Sequence, residues 1–551
     1  MKKTMLKSAL AAVCLTLLFT GCPNPEQLNP NSKPTVVDEE LEDEVDEVIT
    51  DPTDYGKGTN SKEDFPEPKY DNPTYSKVKS ESLDFIFNNQ TLGTTTIVIN
   101  RTEWKKLCDD YRYFYKNENC VHAEAYSYEK DGKSWTLKNV GFRLRGNTSR
   151  YCPQGIDNGN KQGQANYDWN PSYYAYANKK NKDYRQTHFK VDFEEFVGVD
   201  ENGKELEQRM SDCMKGVALK RMDESCTREI FCYDLFRKNG IWTAPRASHT
   251  RLILKIREDD TDNSTTTVDF GVYEMFEEVN KQSLKARESG KNNNADTAWK
   301  DNKGNLWKCA NDLTTGRMNE TGVEDIRIIY KDDEEKPAGI QTNGREDENR
   351  IGYIRKQYSL DLKTNKDNFS EAETELQSFI TALNALPKSK NPTDAEITQI
   401  KAFYEKWFDM DFFLKTYAVN ILCGMDDDYW GNANNFYLYF GDDKNGNRKV
   451  WLIPFDYDNT LGHSISGDKE GFLHNPLDWG RGKDRPLMDR LLLVPEYKTK
   501  FTEALLEVCK NDYWNYETCS QIFLNWKEMV SPYIRSNDLS YTGLGVSQFA
   551  D

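Results

Sequence analysis

Histidine is scarce in this chain, and its cysteines are not arranged in metal-binding pairs. The 551 residues include 5 histidines, and no two of them have a spacing typical of zinc ligands. None of the 12 cysteines forms a C-x-x-C motif. Structural zinc sites usually contain such pairs, and catalytic zinc sites need histidine or carboxylate ligands at short spacings. The sequence therefore argues against a zinc hydrolase.

An excess of basic residues is also absent. Lysine and arginine number 73 against 91 aspartate and glutamate residues, which gives a formal net charge of -18. Nucleic-acid-binding domains usually carry a basic patch that neutralises phosphates. We therefore expect no nucleic-acid partner.

The apolar run near the N-terminus is too short for a membrane-spanning helix. It extends from Ala9 to Phe19, follows three lysines in the first seven residues, and leads into Thr-Gly-Cys22. A transmembrane helix needs about 20 apolar residues, whereas a signal peptide needs about 7 to 15. The segment resembles a bacterial lipobox, which predicts a lipoprotein signal peptide over residues 1–22 and an exported protein held at the cell envelope by a lipid on Cys22. An ordinary secretory signal is the alternative.

Residues 23–80 are rich in proline, asparagine, serine and acidic side chains, with the densest acidic run between Asp38 and Glu47. Such a segment buries too little apolar surface to offset the entropy of ordering it. We predict a disordered acidic linker over residues 23–80 and a folded domain over residues 81–551.

The folded region mixes strand and helix patterns. Phe142 and Leu144 alternate with polar residues, which is typical of a half-buried strand. Ser370-Glu-Ala-Glu373 and Thr393-Asp-Ala-Glu396 are both spaced as helix capping boxes. These patterns predict an α+β fold. Residues 151–183 and 289–305 lack periodicity and are predicted to be insertion loops.

A β-hairpin is predicted near the C-terminal third of the chain. Phe436 to Phe440 and Val450 to Phe455 are aromatic and aliphatic runs, and Asn445-Gly446 between them is a strong turn signal. Paired strands lie about 4.8 Å apart, so the ends far from the turn must be neighbours.

Acidic and amide side chains flank those ends. Asp426-Asp427-Asp428 and the asparagines at 432, 434 and 435 precede the first strand, and Asp456 and Asp458 follow the second. Phosphoryl transfer requires a positioned nucleophile and Mg²⁺ held by oxygen ligands. An aspartate can position the attacking hydroxyl, and carboxylate and amide oxygens can bind Mg²⁺. The alternative is that aspartate and asparagine simply occupy loops, as they often do.

The order of several motifs resembles the CotH kinase family, which is typified by spore coat protein H. Its pattern of Asp, then Asn before an aromatic strand, then I-P-W-D-x-D-x-x-x-G is similar to Asp427, Asn435-Phe-Tyr-Leu-Tyr and Ile453-Pro-Phe-Asp456-Tyr-Asp458, with phenylalanine in place of the usual tryptophan. Further similar blocks are Gly141 to Ser149, His188 to Phe193, Leu219 to Gly240 and Gly271 to Glu277.

The resemblance implies an atypical protein-kinase-like two-lobed fold with insertions, and an ATP-dependent protein kinase that uses Mg²⁺ or Mn²⁺. Asp427 would orient and deprotonate the acceptor hydroxyl, with Asp428 as the alternative in the triple-Asp run. Asn435, or one of the two asparagines before it, would bind metal or position the phosphates. Asp456 would be the principal metal ligand, assisted by Asp458.

The remaining expected nucleotide contacts precede the hairpin. Lys190 is the expected phosphate lysine and Glu277 its expected partner. The loop from Arg145 to Ser149, which includes Asn147, would cover the phosphates. For Lys190, Glu277 and Arg145 a structural salt bridge is the alternative to a nucleotide contact.

The implied substrates are serine or threonine residues of extracytoplasmic or surface proteins. A non-catalytic surface lipoprotein that binds glycans or proteins on a kinase-like scaffold is the main rival function. A carboxylate-pair glycosidase is a more distant alternative, because the acids here are accompanied by asparagines and a lysine.

Overall fold

The computed structural model describes residues 58–61, 81–114, 119–146, 152–154, 184–210, 214–221, 227–259, 264–289, 299–309, 314–318, 326–332, 352–358, 360–463, 475–478 and 485–534. The predicted signal peptide and almost all of the predicted linker lie outside these ranges. So do Asn147 and Ser149. All described residues belong to one compact unit.

The described chain contains both strands and helices, which confirms the α+β class. The strands are β1 (Gly58–Ser61), β2 (Gly93–Asn100), β3 (Val121–Lys130), β4 (Lys133–Leu144), β5 (Phe189–Asp192), β6 (Gly216–Arg221), β7 (Ala247–Arg257), β8 (Thr265–Glu277), β9 (Asn305–Cys309), β10 (Ile326–Asp332), β11 (Gly352–Tyr358), β12 (Leu360–Leu362), β13 (Phe436–Asp442) and β14 (Arg448–Pro454). The helices are α1 (Glu81–Ile86), α2 (Arg101–Phe114), α3 (Arg228–Lys238), α4 (Lys281–Lys285), α5 (Thr314–Arg317), α6 (Phe369–Asn384), α7 (Asp394–Trp407), α8 (Met410–Leu422), α9 (Pro486–Leu491), α10 (Pro495–Lys510) and α11 (Tyr516–Val530).

Strands β2 to β8 close into a barrel. Their order is β8-β6-β5-β4-β3-β2-β7, and β7 also pairs with β8. The pair β2 and β7 is parallel, and the other pairs in the barrel are antiparallel. The interior follows the predicted alternation, since Phe142 and Phe189 stack with ring centroids 4.8 Å apart. The closed arrangement was not anticipated from the sequence, because pairing between distant strands leaves no local signal.

Strand β1 lies within the predicted linker. Gly58–Ser61 pairs antiparallel with residues Thr265 to Val268 of β8. The structure thus differs from the prediction of a wholly disordered linker at these four residues. The physical reason is that a strand can offer backbone hydrogen bonds to a passing segment whatever the segment's side chains are.

A second sheet, with the order β12-β9-β13-β14, packs with helices α6 to α10 in the C-terminal part. The predicted hairpin is confirmed, since Phe436 pairs with Pro454 and Asp442 with Arg448. The Thr393 capping box is also confirmed, with Thr393 N donating to Glu396 Oε2 at 2.7 Å.

One local prediction was wrong. Helix α6 begins at Phe369 with Asn368 as its N-cap, so Ser370 lies inside the first turn and is not a cap. A 3-10 turn over Lys366–Asn368 leads directly into the helix, which therefore begins before Ser370. The predicted loop over residues 289–305 is described at Ser289 and from Trp299 onward, where Trp299 is fully buried and Asn305 begins β9. The predicted loop over residues 151–183 lies outside the described ranges except for residues 152–154.

Helix α3 packs between the barrel and the C-terminal part. Its buried Phe231, Leu235 and Phe236 belong to one hydrophobic cluster with residues of both, including Phe276 of β8 and Leu438 of β13. No helix in the described ranges has the length and hydropathy of a membrane span.

Candidate active site

The hairpin brings Asn435 next to Asp427. Asn435 directly precedes β13, and its side-chain Nδ2 donates to Asp427 Oδ2 at 2.9 Å. Asn432 Nδ2 donates to the other carboxylate oxygen of Asp427 at 2.8 Å. Burial raises the pKa of Asp427 to about 6, although the Asn432 amide opposes this shift. The carboxylates of Asp456 and Asp458 raise the pKa of Asp427 further, in the same direction as burial. Asn435, which is bonded to Asp427, directly precedes Phe436, and Phe436 pairs with Pro454, so the two acidic segments meet at this end of the hairpin as predicted.

Asp456 and Asp458 share one ammonium group. Lys220 Nζ lies 2.7 Å from Asp456 Oδ1 and 3.1 Å from Asp458 Oδ2. The same nitrogen contacts Glu229 Oε2. Lys220 lies on β6 of the barrel, Glu229 is the second residue of α3, and the two aspartates follow β14. One lysine therefore ties together three separate elements.

This cluster is buried on one side and open on the other. The side chains of Lys220 and Glu229 are 5% and 3% exposed, whereas those of Asp456 and Asp458 are 35% and 33% exposed. Burial would lower the pKa of Lys220, but the surrounding carboxylates raise it well above its usual value. Burial raises the pKa of Glu229, against the opposing effect of Lys220. The lysine is therefore held in its charged form.

Two tyrosines hold the segment after β14 against helix α3. Asp456 N donates to Tyr233 Oη at 2.8 Å, and that hydroxyl donates to Glu229 Oε1 at 3.1 Å. Tyr457 N also donates to Glu229 Oε1, at 3.1 Å. Glu229 therefore positions the backbone of Asp456 as well as the ammonium of Lys220.

Asn435 and Asp456 both have backbone conformations in the left-handed region, with φ of 53° and 63°. Aspartate and asparagine tolerate this region better than other non-glycine residues because their side chains can hydrogen-bond locally. Strained conformations of this kind are common at functional sites. The left-handed backbone sets the direction of both side chains, at the start of β13 and just after β14.

The other candidate in the triple-Asp run points elsewhere. Asp428 is 3% exposed, accepts a hydrogen bond from the Asn420 side chain, and lies 3.2 Å from Trp430 N. Its carboxylate is thus fixed in the core, whereas that of Asp427 lies beside the other site residues.

The prediction that Lys190 pairs with Glu277 is wrong. Lys190 Nζ lies 3.1 Å from Glu278 Oε2. Glu277, on the adjacent position of the same strand end, accepts from Arg287 Nη1 and Nη2 at 2.8 Å each and from Arg246. Successive residues of a strand point to opposite faces, and this places Glu278 on the Lys190 side and Glu277 in the buried arginine cluster.

Glu277→Gln is expected to lower the free energy of unfolding by about 3 kcal/mol at neutral pH, because it leaves two buried guanidinium groups without their shared counter-ion. Burial opposes ionisation of Glu277, but Arg287 and Arg246 lower its pKa from 4.5 to about 2. The stabilisation is therefore present above pH 4.5 and is lost as the pH falls towards 2.

Urea unfolding of the wild type and Glu277→Gln at several pH values measures this difference. The gap between the two proteins should narrow below pH 4.5. A gap that is absent at pH 7, or that does not depend on pH, would contradict the proposed ion cluster. Glu371→Gln, an exposed glutamate of α6, is the matched control.

A second group of cations surrounds Phe455. Arg145 and Lys308 place their charged groups 6.0 and 4.7 Å from the centroid of this ring. Burial raises the pKa of Asp456, and Lys220 opposes that shift most strongly. Arg145 and Lys308 also lower this pKa, by smaller amounts. Burial would lower the pKa of Arg145, but Glu278, which pairs with Lys190, raises it, so this group of cations includes one carboxylate.

The family of the chain follows from its match to a family model. A model described as "CotH kinase protein" matches residues 162–551, which is most of the chain. The chain belongs to the CotH kinase family. No curated protein matches it. Arg145, Asn147 and Ser149 precede the matched residues, whereas Lys220 and Asp456 lie within them.

A kinase-like family implies a divalent metal, and the oxygen-bearing side chains of this CotH domain would have to bind it. Among the described residues no group of three or more His, Cys, Asp and Glu side chains is arranged to hold a metal. Mg²⁺ is usually bound by one or two carboxylates together with waters and substrate phosphates. Asp456 and Asp458 fit that mode. Their carboxylate oxygens converge on the ammonium of Lys220, and their side chains remain about one-third exposed.

Sequence reasoning missed Lys220 and Glu229. A signal was present, because Val217-Ala218-Leu219-Lys220 differs at one position from the V-A-I-K strand motif of protein kinases. Glu229 follows 9 residues later at the beginning of a helix. In kinases a strand lysine pairs with a helix glutamate, and this is the arrangement that the CotH domain shows.

Proposed function

We propose that this CotH-family protein is an ATP- and Mg²⁺-dependent protein kinase that phosphorylates serine or threonine residues. The observation that supports it best is the contact of Lys220 with both Glu229 and Asp456. A strand lysine, a helix glutamate and a metal-binding aspartate are the groups that protein kinases assemble around the nucleotide phosphates. The two-lobed kinase-like arrangement is part of the proposal, with the barrel and the C-terminal part as the two lobes.

Lys220 would contact the nucleotide phosphates. Its ammonium is charged and is positioned by Glu229, so it neutralises phosphate charge without reorganisation at the moment of transfer. Arg145 and Lys308 beside Phe455, together with Lys190, would supply further positive charge. Lys190 keeps a supporting role in this proposal.

Asp456 and Asp458 would hold the divalent cation, Mg²⁺ or Mn²⁺, with Asn435 as an additional oxygen ligand. The bound cation would neutralise charge on the phosphates during transfer. The orientation of Asp456 is fixed from behind by Tyr233 and Glu229, so its carboxylate needs little rearrangement to bind.

Asp427 would orient the acceptor hydroxyl and receive its proton. Asp427→Asn should lower turnover by about 100-fold to 10,000-fold, with little change in the KM for ATP. Asp428→Asn should instead lower thermal stability, because Asp428 accepts hydrogen bonds in the core.

Purified wild type and both variants, incubated with labelled ATP, Mg²⁺ and a model acceptor protein, test this assignment. Transfer in the wild type and in Asp428→Asn, with loss in Asp427→Asn, is the expected result. Loss in Asp428→Asn with normal transfer in Asp427→Asn would reverse the assignment of the base. No transfer by the wild type with any divalent cation or acceptor would favour the non-catalytic surface lipoprotein.

We also propose that the protein is exported and anchored in the bacterial cell envelope by a lipid on Cys22. The proposal rests on the lysines, the short apolar run and the Thr-Gly-Cys22 sequence. A linker of the length of residues 23–57, which precede β1, would give the kinase a reach of tens of ångströms, so its substrates would be neighbouring envelope or surface proteins. Membrane fractionation of the wild type beside Cys22→Ser tests the anchor, and a wild-type protein in the soluble fraction would exclude it.

A further inference from the structure

A cavity of about 950 Å³ lies outside the acidic cluster and opens to solvent. Its walls come from α1 and the residues after it, the C-terminal end of α3, the start of β7, and α11. No residue of the Lys220 cluster lines it. Ligand pockets are commonly about 300 to 1,000 Å³ in volume, so the space suits a small organic molecule.

One wall of this cavity carries Arg237, which has no ion-pair partner in the part of the chain that the structure describes. Among the described residues, the guanidinium makes one hydrogen bond, to Ala244 O at 3.5 Å, and no carboxylate lies within the 4.0 Å that defines an ion pair. By contrast, Arg246 beside it is paired with Asp84 and with Glu277. A half-buried, uncompensated cation facing a cavity is a recognition group for an anion.

The electrostatics around Arg237 favour the same ligand. Burial, followed by the charges of Arg246 and Arg287, lowers the pKa of Arg237, so positive charge there is disfavoured. An anion placed against Arg237 would favour the charged form of the guanidinium and offset that lowering of its pKa.

The rest of the wall mixes apolar and aromatic side chains with polar and charged ones, among them Lys238 and Glu528. Trp526 is buried and fixed by a hydrogen bond from Nε1 to Asn89 O at 3.0 Å, and its ring meets that of His249 with centroids 5.4 Å apart. Phe87, Ile522 and Met529 line the same space. A ring or a short hydrocarbon would lose water contact against this surface.

We propose that this cavity binds a small organic anion, with a carboxylate or phosphate on Arg237 and an apolar or aromatic body against Trp526 and its neighbours. The site is separate from the proposed nucleotide site, since Arg237 lies eight residues, on the order of 12 Å, along α3 from Glu229. Its occupancy does not depend on kinase activity, so binding alone tests it.

Calorimetric titration of the full chain with benzoate and with phenyl phosphate, and with benzyl alcohol as the neutral comparison, is the direct experiment. We expect saturable binding of at least one anion and no comparable binding of the alcohol. Arg237→Gln should weaken that binding by about tenfold or more, because a charge-assisted hydrogen bond is lost. Arg257→Gln is the matched control, since Arg257 pairs with Glu124 on the barrel and does not line the cavity.

Asn525→Glu keeps the test decisive if Arg237→Gln fails to fold. Asn525 lines the cavity but is exposed on α11, so its replacement disturbs no core packing, and a carboxylate there should also weaken anion binding. Absence of saturable binding to the wild type would overturn the proposal. Binding that is unchanged in a folded Arg237→Gln protein, or in Asn525→Glu, would overturn it as well.

Discussion

Lys220→Met should lower phosphoryl transfer by about 100-fold to 1,000-fold, the loss expected when a preorganised charge that stabilises the transition state is removed. Lys220 is the cation that contacts Glu229, Asp456 and Asp458 together. Methionine has a similar length and keeps the packing of the stem but cannot neutralise phosphate. Both kcat and the affinity for ATP should fall.

Lys190→Met is the matched comparison, because Lys190 is a half-buried barrel lysine that pairs with one carboxylate, Glu278. We expect a smaller loss from it than from Lys220→Met. Lys220→Arg should not restore activity, since the planar guanidinium cannot occupy the position of a compact ammonium. An active Lys220→Met protein, or an equal loss in Lys190→Met, would contradict the assignment of the phosphate lysine.

Lys220→Met has a second expected effect, which does not depend on turnover. Without Lys220, the carboxylates of Glu229, Asp456 and Asp458 repel one another in a partly buried site. Lys220→Met should therefore melt at a lower temperature than the wild type, and Mg²⁺ should raise its melting temperature more than it raises that of the wild type. Thermal unfolding with and without MgCl₂ measures this difference, and an equal response to Mg²⁺ would count against a metal position among these acids.

Asp456→Asn should remove nearly all metal-dependent transfer, by about 1,000-fold, because the amide that replaces the carboxylate is a weaker ligand for a hard cation. The fold should survive, since asparagine tolerates the left-handed backbone at this position. Asp456 N still donates to Tyr233 Oη, so the segment keeps its position against α3. The residual activity should need a higher Mg²⁺ concentration.

Asp443→Asn provides the control for Asp456→Asn. Asp443 lies at the turn of the same hairpin, where one carboxylate oxygen accepts from Asn445 N and Asn447 N, and asparagine preserves that acceptor. Its activity and its Mg²⁺ dependence should match the wild type. Full activity of a folded Asp456→Asn protein at low Mg²⁺ would show that another residue binds the metal.

The local features of the fold could be predicted because their signals are local. The turn at Asn445-Gly446 and the two apolar runs predicted that these strands pair, which the structure confirms from Phe436 to Asp442. The meeting of the Asp427 segment with the segment after β14 followed from that pairing. Closure of the barrel could not be predicted, since β7 is joined to β2 and β8 by contacts that no short window of sequence contains.

The lysine of the site illustrates the same limit. Lys190 and Lys220 both end or interrupt apolar strand patterns, and the sequence does not show which strand faces helix α3. The structure distinguishes them, because Lys220 reaches Glu229 and Lys190 reaches Glu278. The choice between Glu277 and Glu278 depends on the register of a single strand end, where an error of one residue reverses the face.

The left-handed backbone at Asn435 and Asp456 also affects how relatives of this protein should be interpreted. At such positions sequence drift is restricted by conformation, because asparagine, aspartate and glycine are the residues that tolerate it. A relative that has lost catalysis would still be under pressure to keep one of these residues there. Lys220 carries no such backbone constraint within β6, so among homologues its presence or loss is the more informative mark of an active enzyme.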